Sequence, residues 1–179
     1  MAFYEKQLSS EEKFRGVIVT VKADKVELTN GHTAYREVVE HPGGVGIVAI
    51  NDEGNVFMVR QFRYPLGKEI MEIPAGKLEK GENPLDCAVR ELSEETGYSA
   101  GKMISLGEMY PSPGYCKEVL YAYLATELTP GASHPDDDEF LSVEMVPFDK
   151  AVSMALSGEL RDAKTVVALL RAREILREK

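Results

Sequence analysis

Apolar and polar positions alternate along the first part of the chain, which is the pattern of β-strands that cover one face. Valines occupy every second position from residue 17 to 21, and Asn30-Gly31 is a hairpin signal before a return strand at residues 35–39. The residues before Phe14 are polar and predict a charged lead-in to the first strand. A breaker cluster at residues 41–44 ends the segment, so the pattern predicts a small antiparallel β meander.

Strand and helix patterns interleave over the rest of the chain. The strand patterns cover residues 46–50, 56–62, 70–73, 103–109, 119–125 and 143–146. The helix patterns cover residues 83–96, a short segment that Asp149 caps and Gly158 ends, and a longer segment that Asp162 caps. The crossovers are too few for a doubly wound sheet, so we expect an α/β fold: an α/β/α sandwich with a mixed sheet, plus an N-terminal antiparallel β subdomain. The subdomain would span residues 1–41 and the main domain residues 42–179.

The helix predicted at residues 83–96 has end signals on both sides and one apolar face. Asn83 is an N-cap residue, Pro84 stands at the first helical position, and Gly97 follows the last turn. At 100° per residue, one face collects the side chains that we expect to be buried: Leu85, Ala88, Val89, Leu92 and Thr96.

The same helix carries a patch of like charge. Glu91, Glu94 and Glu95 are three or four residues apart and crowd one side. Like charges at this spacing destabilise a helix by a few tenths of a kcal/mol per pair. Hard divalent cations, which prefer carboxylate and carbonyl oxygens, would relieve the repulsion. A solvated acidic face on which Arg90 pairs with Glu94 is the alternative explanation.

Composition narrows the class of protein. The chain has 179 residues, 44% of them hydrophobic and 28% charged, which is ordinary for a soluble globular protein. A net charge of −9 argues against general binding of nucleic acid or of a membrane surface. The longest apolar runs are far below the ~18–20 residues of a membrane span, and the start lacks a secretory signal. Cys87 and Cys116 cannot form a disulfide framework, so we expect a cytoplasmic protein.

The acidic patch belongs to a longer spaced motif. Gly76 is followed after five residues by Glu82, and after seven more by the run Arg90-Glu91-Leu92-Ser93-Glu94-Glu95-Thr96-Gly97-Tyr98. This motif resembles the signature of the Nudix family at every specified position. The resemblance implies an enzyme that cleaves nucleoside diphosphates linked to a second moiety by attack of water on phosphorus. It also implies Mg²⁺ or Mn²⁺ as the cofactor, with two or three ions per site.

The resemblance assigns roles within the motif. It implies three metal ligands: Glu91, Glu95 and the main-chain carbonyl of Ala75. It also implies that Glu94 is a further or water-mediated ligand among the catalytic residues. Arg90 and Glu82 would orient the helix.

Features outside the motif resemble the ADP-ribose pyrophosphatase branch of the family. Ser112-Pro113-Gly114 places a proline 15 residues after Tyr98, and Gln61-Phe62-Arg63 leads toward the run from Glu72 to Glu79. The N-terminal β meander matches a subdomain that two subunits exchange in this branch. The resemblance therefore implies a homodimer that converts ADP-ribose and water to AMP and ribose 5-phosphate.

Four substrate-binding residues follow from the same resemblance: Arg36, Arg63, Pro113 and Glu118. A guanidinium group suits a diphosphate because it donates two parallel hydrogen bonds. An exposed strand arginine is the alternative explanation of Arg36 and Arg63. Pro-Gly loops are usually just turns, and a salt bridge would explain Glu118 equally well.

The catalytic base in this branch comes from an acidic loop before the last strand, here residues 136–139. Glu139 is the first candidate for the base or a further metal ligand, and Asp137 is the second. A solvated loop is the simpler explanation of four consecutive acids. Aspartate stands where relatives tend to have glutamate, and its shorter reach favours Glu139.

Two alternatives to the main hypothesis remain at this point. In the first alternative, the protein is a hydrolase of the same family whose substrate would be another nucleoside diphosphate sugar, such as GDP-mannose, or an oxidised nucleotide. From a different functional class, the protein would be a non-catalytic sensor of ADP-ribose. A sensor has no need of the three helix carboxylates, so their presence counts against it.

Overall fold

The structure is a computed structural model, and it describes residues 3–131 and 140–177. Its contacts divide the chain into two compact units. The first unit comprises Met1–Gly43 and Tyr110–Val119, and the second comprises Gly44–Met109 and Leu120–Lys179. The segment at residues 110–119, which includes the Pro-Gly loop, therefore packs with the N-terminal strands.

The first unit contains a three-stranded antiparallel sheet. Its strands, in chain order and in sheet order, are β1 (Lys6–Arg15), β2 (Thr20–Glu27) and β3 (Thr33–Glu40). The expectation of a lead-in before Phe14 was wrong, because those residues form β1. All ten residues of β1 are exposed, so no apolar alternation marks the strand, and its backbone pairing with β2 defines it instead.

The predicted hairpin at Asn30-Gly31 is confirmed. The strands β2 and β3 pair from Thr20 opposite Glu40 to Glu27 opposite Thr33. The connection is one residue longer than a two-residue turn, because the Leu28 N–H donates to the His32 carbonyl at 2.8 Å. Gly31 has a φ of 82°, the left-handed conformation that glycine adopts without steric cost.

The second unit carries the remaining elements, around two sheets. In chain order they are β4 (Gly44–Ala49), β5 (Asn55–Arg63), a 3₁₀ turn (Tyr64–Leu66), β6 (Lys68–Glu72), β7 (Ala75–Lys77), α1 (Pro84–Thr96), β8 (Tyr98–Met109), β9 (Leu120–Pro130), β10 (Leu141–Pro147), α2 (Phe148–Ser157) and α3 (Ala163–Arg177). One sheet has the order β7-β4-β9-β8, with β4 and β9 parallel and the other pairs antiparallel. The other sheet is antiparallel, with the order β10-β5-β6.

The central strand β4 is buried on both faces. Val45 and Ile47 pack in a cluster that contains Leu92 of α1. Val48 faces the opposite way, into a cluster that contains Leu169 of α3. A layer of helix thus covers each face of the mixed sheet, and this arrangement confirms the expected α/β/α sandwich.

The helix ends agree only partly with their predicted caps. Asp162 caps α3, since its Oδ2 accepts a hydrogen bond from the Thr165 N–H at 2.9 Å. Asp149 is not a cap: α2 begins at Phe148, and Asp149 lies in its first turn. Among the residues described, none of the helices has both the length and the apolar character needed to cross a membrane.

Candidate active site

Helix α1 forms where its end signals predicted. The side chain of Asn83 accepts a hydrogen bond from the Leu85 N–H at 2.8 Å, and this bond satisfies one of the free donors at the helix start. Gly97 has a φ of 74°, and its N–H donates to the Ser93 carbonyl at 2.9 Å. Both caps are confirmed.

The buried face of α1 agrees only in part with the expected one: Ala88 and Leu92 are buried as expected, and Thr96 is partly buried. Leu85 and Val89 are 41% and 45% exposed, so placing them in the core was wrong. The side chains buried in their place include Glu91 and Glu95, which lie next to β7. The side of α1 that carries Glu91 and Glu95 therefore faces the protein interior, because the backbone at residues 75–76 contacts these carboxylates directly. A prediction from apolar periodicity takes no account of such contacts.

Gly76 in β7 makes room for the first of these acids. A Cβ atom added at Gly76 would lie 1.8 Å from the carboxyl carbon of Glu91. Any side chain at this position would therefore displace the carboxylate. The requirement for close approach explains physically why a glycine stands at the first position of the motif.

Glu95 is held by the backbone one residue earlier. Its side chain, in a residue only 3% exposed, accepts a hydrogen bond from the Ala75 N–H at 3.0 Å. Residues 74 and 75 are themselves held by the central strand β4, because Ala75 pairs with Gly46 and the Ile47 N–H donates to the Pro74 carbonyl at 2.8 Å. Two carboxylates from one helix thus converge on residues 75–76.

Arg90 connects three acids of the motif, Glu82, Glu91 and Glu94. Its Nε and Nη2 donate to Glu82 at 3.0 and 3.2 Å, and its Nη1 donates to both Glu91 and Glu94 at 2.8 Å. The hydrogen bonds from Arg90, and next the one from the Glu79 N–H, lower the pKa of Glu82 to about 2. The predicted orienting pair of Arg90 and Glu82 is thus in direct contact. Of the alternative explanation, the pairing of Arg90 with Glu94 is present, but the acidic face is not solvated, since Glu91 and Glu95 are buried.

The donor set fits a hard divalent cation. Within residues 3–131 and 140–177, no three His, Cys, Asp or Glu side chains are already grouped to hold a metal ion. Mg²⁺ needs fewer than three protein side chains, because it typically binds through one or two carboxylates and keeps waters or substrate phosphates as its other ligands. Glu91 and Glu95 supply two buried carboxylates beside Ala75, whose carbonyl is the other ligand that the motif implies.

Arg63 is held by a buried carboxylate. Its Nε and Nη2 donate to the two oxygens of Glu72 at 2.6 and 3.0 Å. The hydrogen bonds to Glu72 raise the pKa of Arg63, so the guanidinium group stays positively charged. Lys164 of α3 is also paired with Glu72. The sequence analysis did not predict that Lys164 lies near the candidate site. The one local feature close to it in the sequence was the predicted helix cap at Asp162.

The other expected substrate-binding residues lie in the first unit. Arg36 is half exposed and donates from Nε to Glu5 at 2.9 Å, which agrees with a strand salt bridge as well as with a binding role. Glu118 lies 3.4 Å from Nδ1 of His41. Pro113 is exposed in the Pro-Gly loop. These three roles stay predictions.

Two of the expected catalytic residues, Glu139 and Asp137, lie outside the described residues. Their roles also stay predictions.

The chain matches two family models that together cover most of its length. The model described as "NUDIX domain" matches residues 40–169. The model described as "Nucleoside diphosphate sugar hydrolase N-terminal domain" matches residues 5–39.

Curated relatives and a solved structure resemble nearly the whole chain. The chain is 45% identical to an ADP-ribose pyrophosphatase of Bacillus subtilis, over 92% of this chain and 90% of the relative. It is 43% identical to a methanol dehydrogenase activator of Bacillus methanolicus, over 99% and 98%. A crystal structure of an ADP compounds hydrolase shares the fold with a TM-score of 0.86, at 24% identity over 97% of this chain and 95% of that one. The motif, the α/β/α fold and these matches together show that the chain belongs to the Nudix hydrolase family.

Proposed function

We propose that this protein hydrolyses the diphosphate of ADP-ribose, with a divalent metal ion, to AMP and ribose 5-phosphate. The observation that carries the proposal is the pair of buried carboxylates, Glu91 and Glu95, against residues 75–76. The choice of ADP-ribose is supported by 45% identity to a relative named ADP-ribose pyrophosphatase, over nearly the full length of both chains.

Nudix hydrolases generally depend on divalent metal ions, and this chain has residues to hold them. Glu91, Glu95 and the carbonyl of Ala75 would bind the ions, with Glu94 as a further or water-mediated ligand. We propose Mg²⁺ or Mn²⁺, two or three per site. When bound, such ions neutralise a diphosphate, activate a water and stabilise the leaving phosphate.

The chain's own residues would then orient and bind the substrate. Arg90 contacts Glu91 and Glu94 and thereby fixes the acids relative to one another. Arg63 uses Nε and Nη2 on Glu72, and among the described residues its Nη1 has no hydrogen-bond partner, so this group would donate to a phosphate oxygen.

Deprotonation of the attacking water would fall to the acidic loop. We propose Glu139 as the proton acceptor, because its longer side chain reaches further than that of Asp137, the second candidate.

We also propose that two copies associate through the N-terminal subdomain, residues 1–41, while residues 42–179 form the hydrolase domain. The first unit exposes large apolar side chains: Phe3, Tyr4, Leu8, Phe14, Val17, Ile18 and Tyr35. Exposed apolar patches and long edge strands such as β1 mark interaction surfaces. Exchange of these strands would bring Arg36, Pro113 and Glu118 of one copy to the partner's site. Light scattering at micromolar concentration should give twice the mass of one chain, and a monomer mass would contradict exchange.

The similarity to the methanol dehydrogenase activator supports a second candidate function. That relative is 43% identical over 99% of this chain, close to the value for the pyrophosphatase. The second candidate is therefore the activation of a dehydrogenase. It is tested by adding the protein to a methanol dehydrogenase and measuring its rate of alcohol oxidation.

The experiment that tests the main proposal is a substrate panel. ADP-ribose, ADP-glucose, GDP-mannose, NADH and 8-oxo-dGTP are each incubated with the protein, with and without Mg²⁺, and nucleotide release is measured. We expect preferential, Mg²⁺-dependent release of AMP from ADP-ribose. Preferential cleavage of GDP-mannose or 8-oxo-dGTP would retain the chemistry and reject the substrate. Binding of ADP-ribose without any cleavage would indicate a sensor.

A further inference from the structure

Four charged side chains alternate in sign between Arg63 and the start of α3. Arg63 pairs with Glu72, Glu72 pairs with Lys164, and the Nζ of Lys164 lies 3.1 Å from Oδ2 of Asp162. Residues 72 and 164 are 92 positions apart in the sequence. Only the fold brings them together, and we call these four residues the charge chain.

The middle of the charge chain is buried. The side chain of Glu72 is 1% exposed and that of Lys164 is 11% exposed. Burying a charged side chain is costly unless partners of opposite charge and hydrogen bonds compensate for the lost water. A single cation would already neutralise Glu72, yet the fold supplies two, Lys164 and Arg63.

The start of α3 also holds the backbone next to Glu72. The hydroxyl of the fully buried Thr165 accepts a hydrogen bond from the Ile73 N–H at 2.9 Å and donates to Asp162 at 2.6 Å. Strand β7, whose residues 75 and 76 contact Glu95 and Glu91, follows after Pro74. Both the side chain of Glu72 and the backbone of Ile73 are therefore tied to α3.

The second cation changes what Arg63 can do. If Glu72 had Arg63 as its one partner, the whole negative charge of the carboxylate would offset the positive charge of the guanidinium group, which stays protonated. Lys164 shares the negative charge of Glu72, even though Asp162 also pairs with Lys164, so the carboxylate offsets less of the positive charge that Arg63 offers to an external anion. Two fixed hydrogen bonds to Glu72 also orient the guanidinium plane before a substrate binds, which lowers the entropy cost of binding.

We propose that Lys164 is a positioning residue: by sharing Glu72 with Arg63, it keeps the guanidinium group of Arg63 oriented, with its positive charge only partly balanced, for the substrate diphosphate. This inference rests on the proposed function, in which Arg63 binds a phosphate group. Lys164 itself touches Glu72 and Asp162, and its effect on the substrate passes through Arg63.

Steady-state kinetics on purified protein tests the proposal with three variants. Lys164→Met should raise KM for ADP-ribose about tenfold and leave kcat within about threefold, since the lost interaction serves binding. Lys164→Arg should restore KM to within about threefold of wild type, because it keeps a cation beside Glu72. Arg60→Met is the matched control: Arg60 lies on the same strand as Arg63 and pairs with Glu144, outside the charge chain, and KM should not change.

Three kinetic results would overturn the proposal. The first is an unchanged KM for ADP-ribose in Lys164→Met. The second is a KM in Lys164→Arg that stays as high as in Lys164→Met, and the third is a rise of KM in Arg60→Met equal to that in Lys164→Met. If Lys164→Met does not fold, Lys164→Gln replaces it under the same criteria, since the amide still donates a hydrogen bond to Glu72 without the charge.

A second readout requires no hydrolysis and separates this proposal from the proposed function. The ¹⁵N signal of the Arg63 Nε group, identified by its loss in Arg63→Lys, should move in Lys164→Met and stay in place in Arg60→Met. Titration of this signal with inorganic pyrophosphate and Mg²⁺ should give a Kd about tenfold higher in Lys164→Met. If wild type does not cleave ADP-ribose, the proposed function fails and this titration alone decides the role of Lys164. An unmoved signal or an equal Kd would overturn it.

Discussion

The second unit contains two clusters of charged side chains that differ in charge balance. In the charge chain, the two cations Arg63 and Lys164 face the two acids Glu72 and Asp162, so the charges balance. On α1 the acids are in excess, because the single guanidinium group of Arg90 contacts Glu82, Glu91 and Glu94. The first group satisfies its own charge within the fold. The second concentrates negative charge beside strand β7, and this excess is what a divalent cation would neutralise.

The comparison predicts its largest effect at Glu95. Glu95→Gln keeps the shape and the hydrogen bond from Ala75 but removes a charge from the proposed metal site, so we expect kcat to fall about a thousandfold or more. Asp86→Asn, at an exposed acid in the first turn of the same helix, is the control and should keep most of the rate. Both variants should show the wild-type circular dichroism spectrum. A Glu95→Gln protein with most of its activity would refute the metal assignment.

A smaller effect is expected from the backbone beside the acids. Gly76→Ala introduces a Cβ where the carboxylate of Glu91 lies, so the carboxylate must shift by an ångström or more. Misplacement of this size costs about a hundredfold in rate. For Gly76→Ala, the Mg²⁺ concentration that gives half of the maximal rate should also be higher than for wild type. Gly114→Ala is the control, because a Cβ there meets open space. Equal activity of the two variants would show that the close approach has no role in catalysis.

The smallest effect concerns stability in acid. The pKa of Glu82 is lowered from 4.5 to about 2 by Arg90, so the pairing stabilises the fold fully above pH 4.5. This stabilisation should be lost progressively as the pH falls from about 4.5 to 2. Urea unfolding across this range should show a shallower pH dependence for Glu82→Gln than for wild type. Identical slopes would mean that the contact with Arg90 does not lower the pKa of Glu82 in the folded protein.

Sequence reasoning succeeded where the signal is local. The caps of α1, the glycine of the β2–β3 hairpin and the spacing of the motif all lie within short windows of the chain. It failed for β1, whose ten exposed residues give no apolar pattern, since backbone pairing with β2 defines that strand. It also failed for Leu85 and Val89, because periodicity assumes that the most apolar face is buried.

The amino-acid sequence by itself determined the ends of α1 and the clustering of its acids, because each depends on spacing along one helix. The reaction class followed from the resemblance of the longer motif, residues 76–98, to the Nudix signature. Tertiary structure alone decided that Glu91 and Glu95 are buried, since this requires Gly76 to lie against the helix. It alone also placed Lys164 beside Glu72. Contacts between distant segments have no signature in the local pattern, because the energy that selects them arises only when the whole core packs.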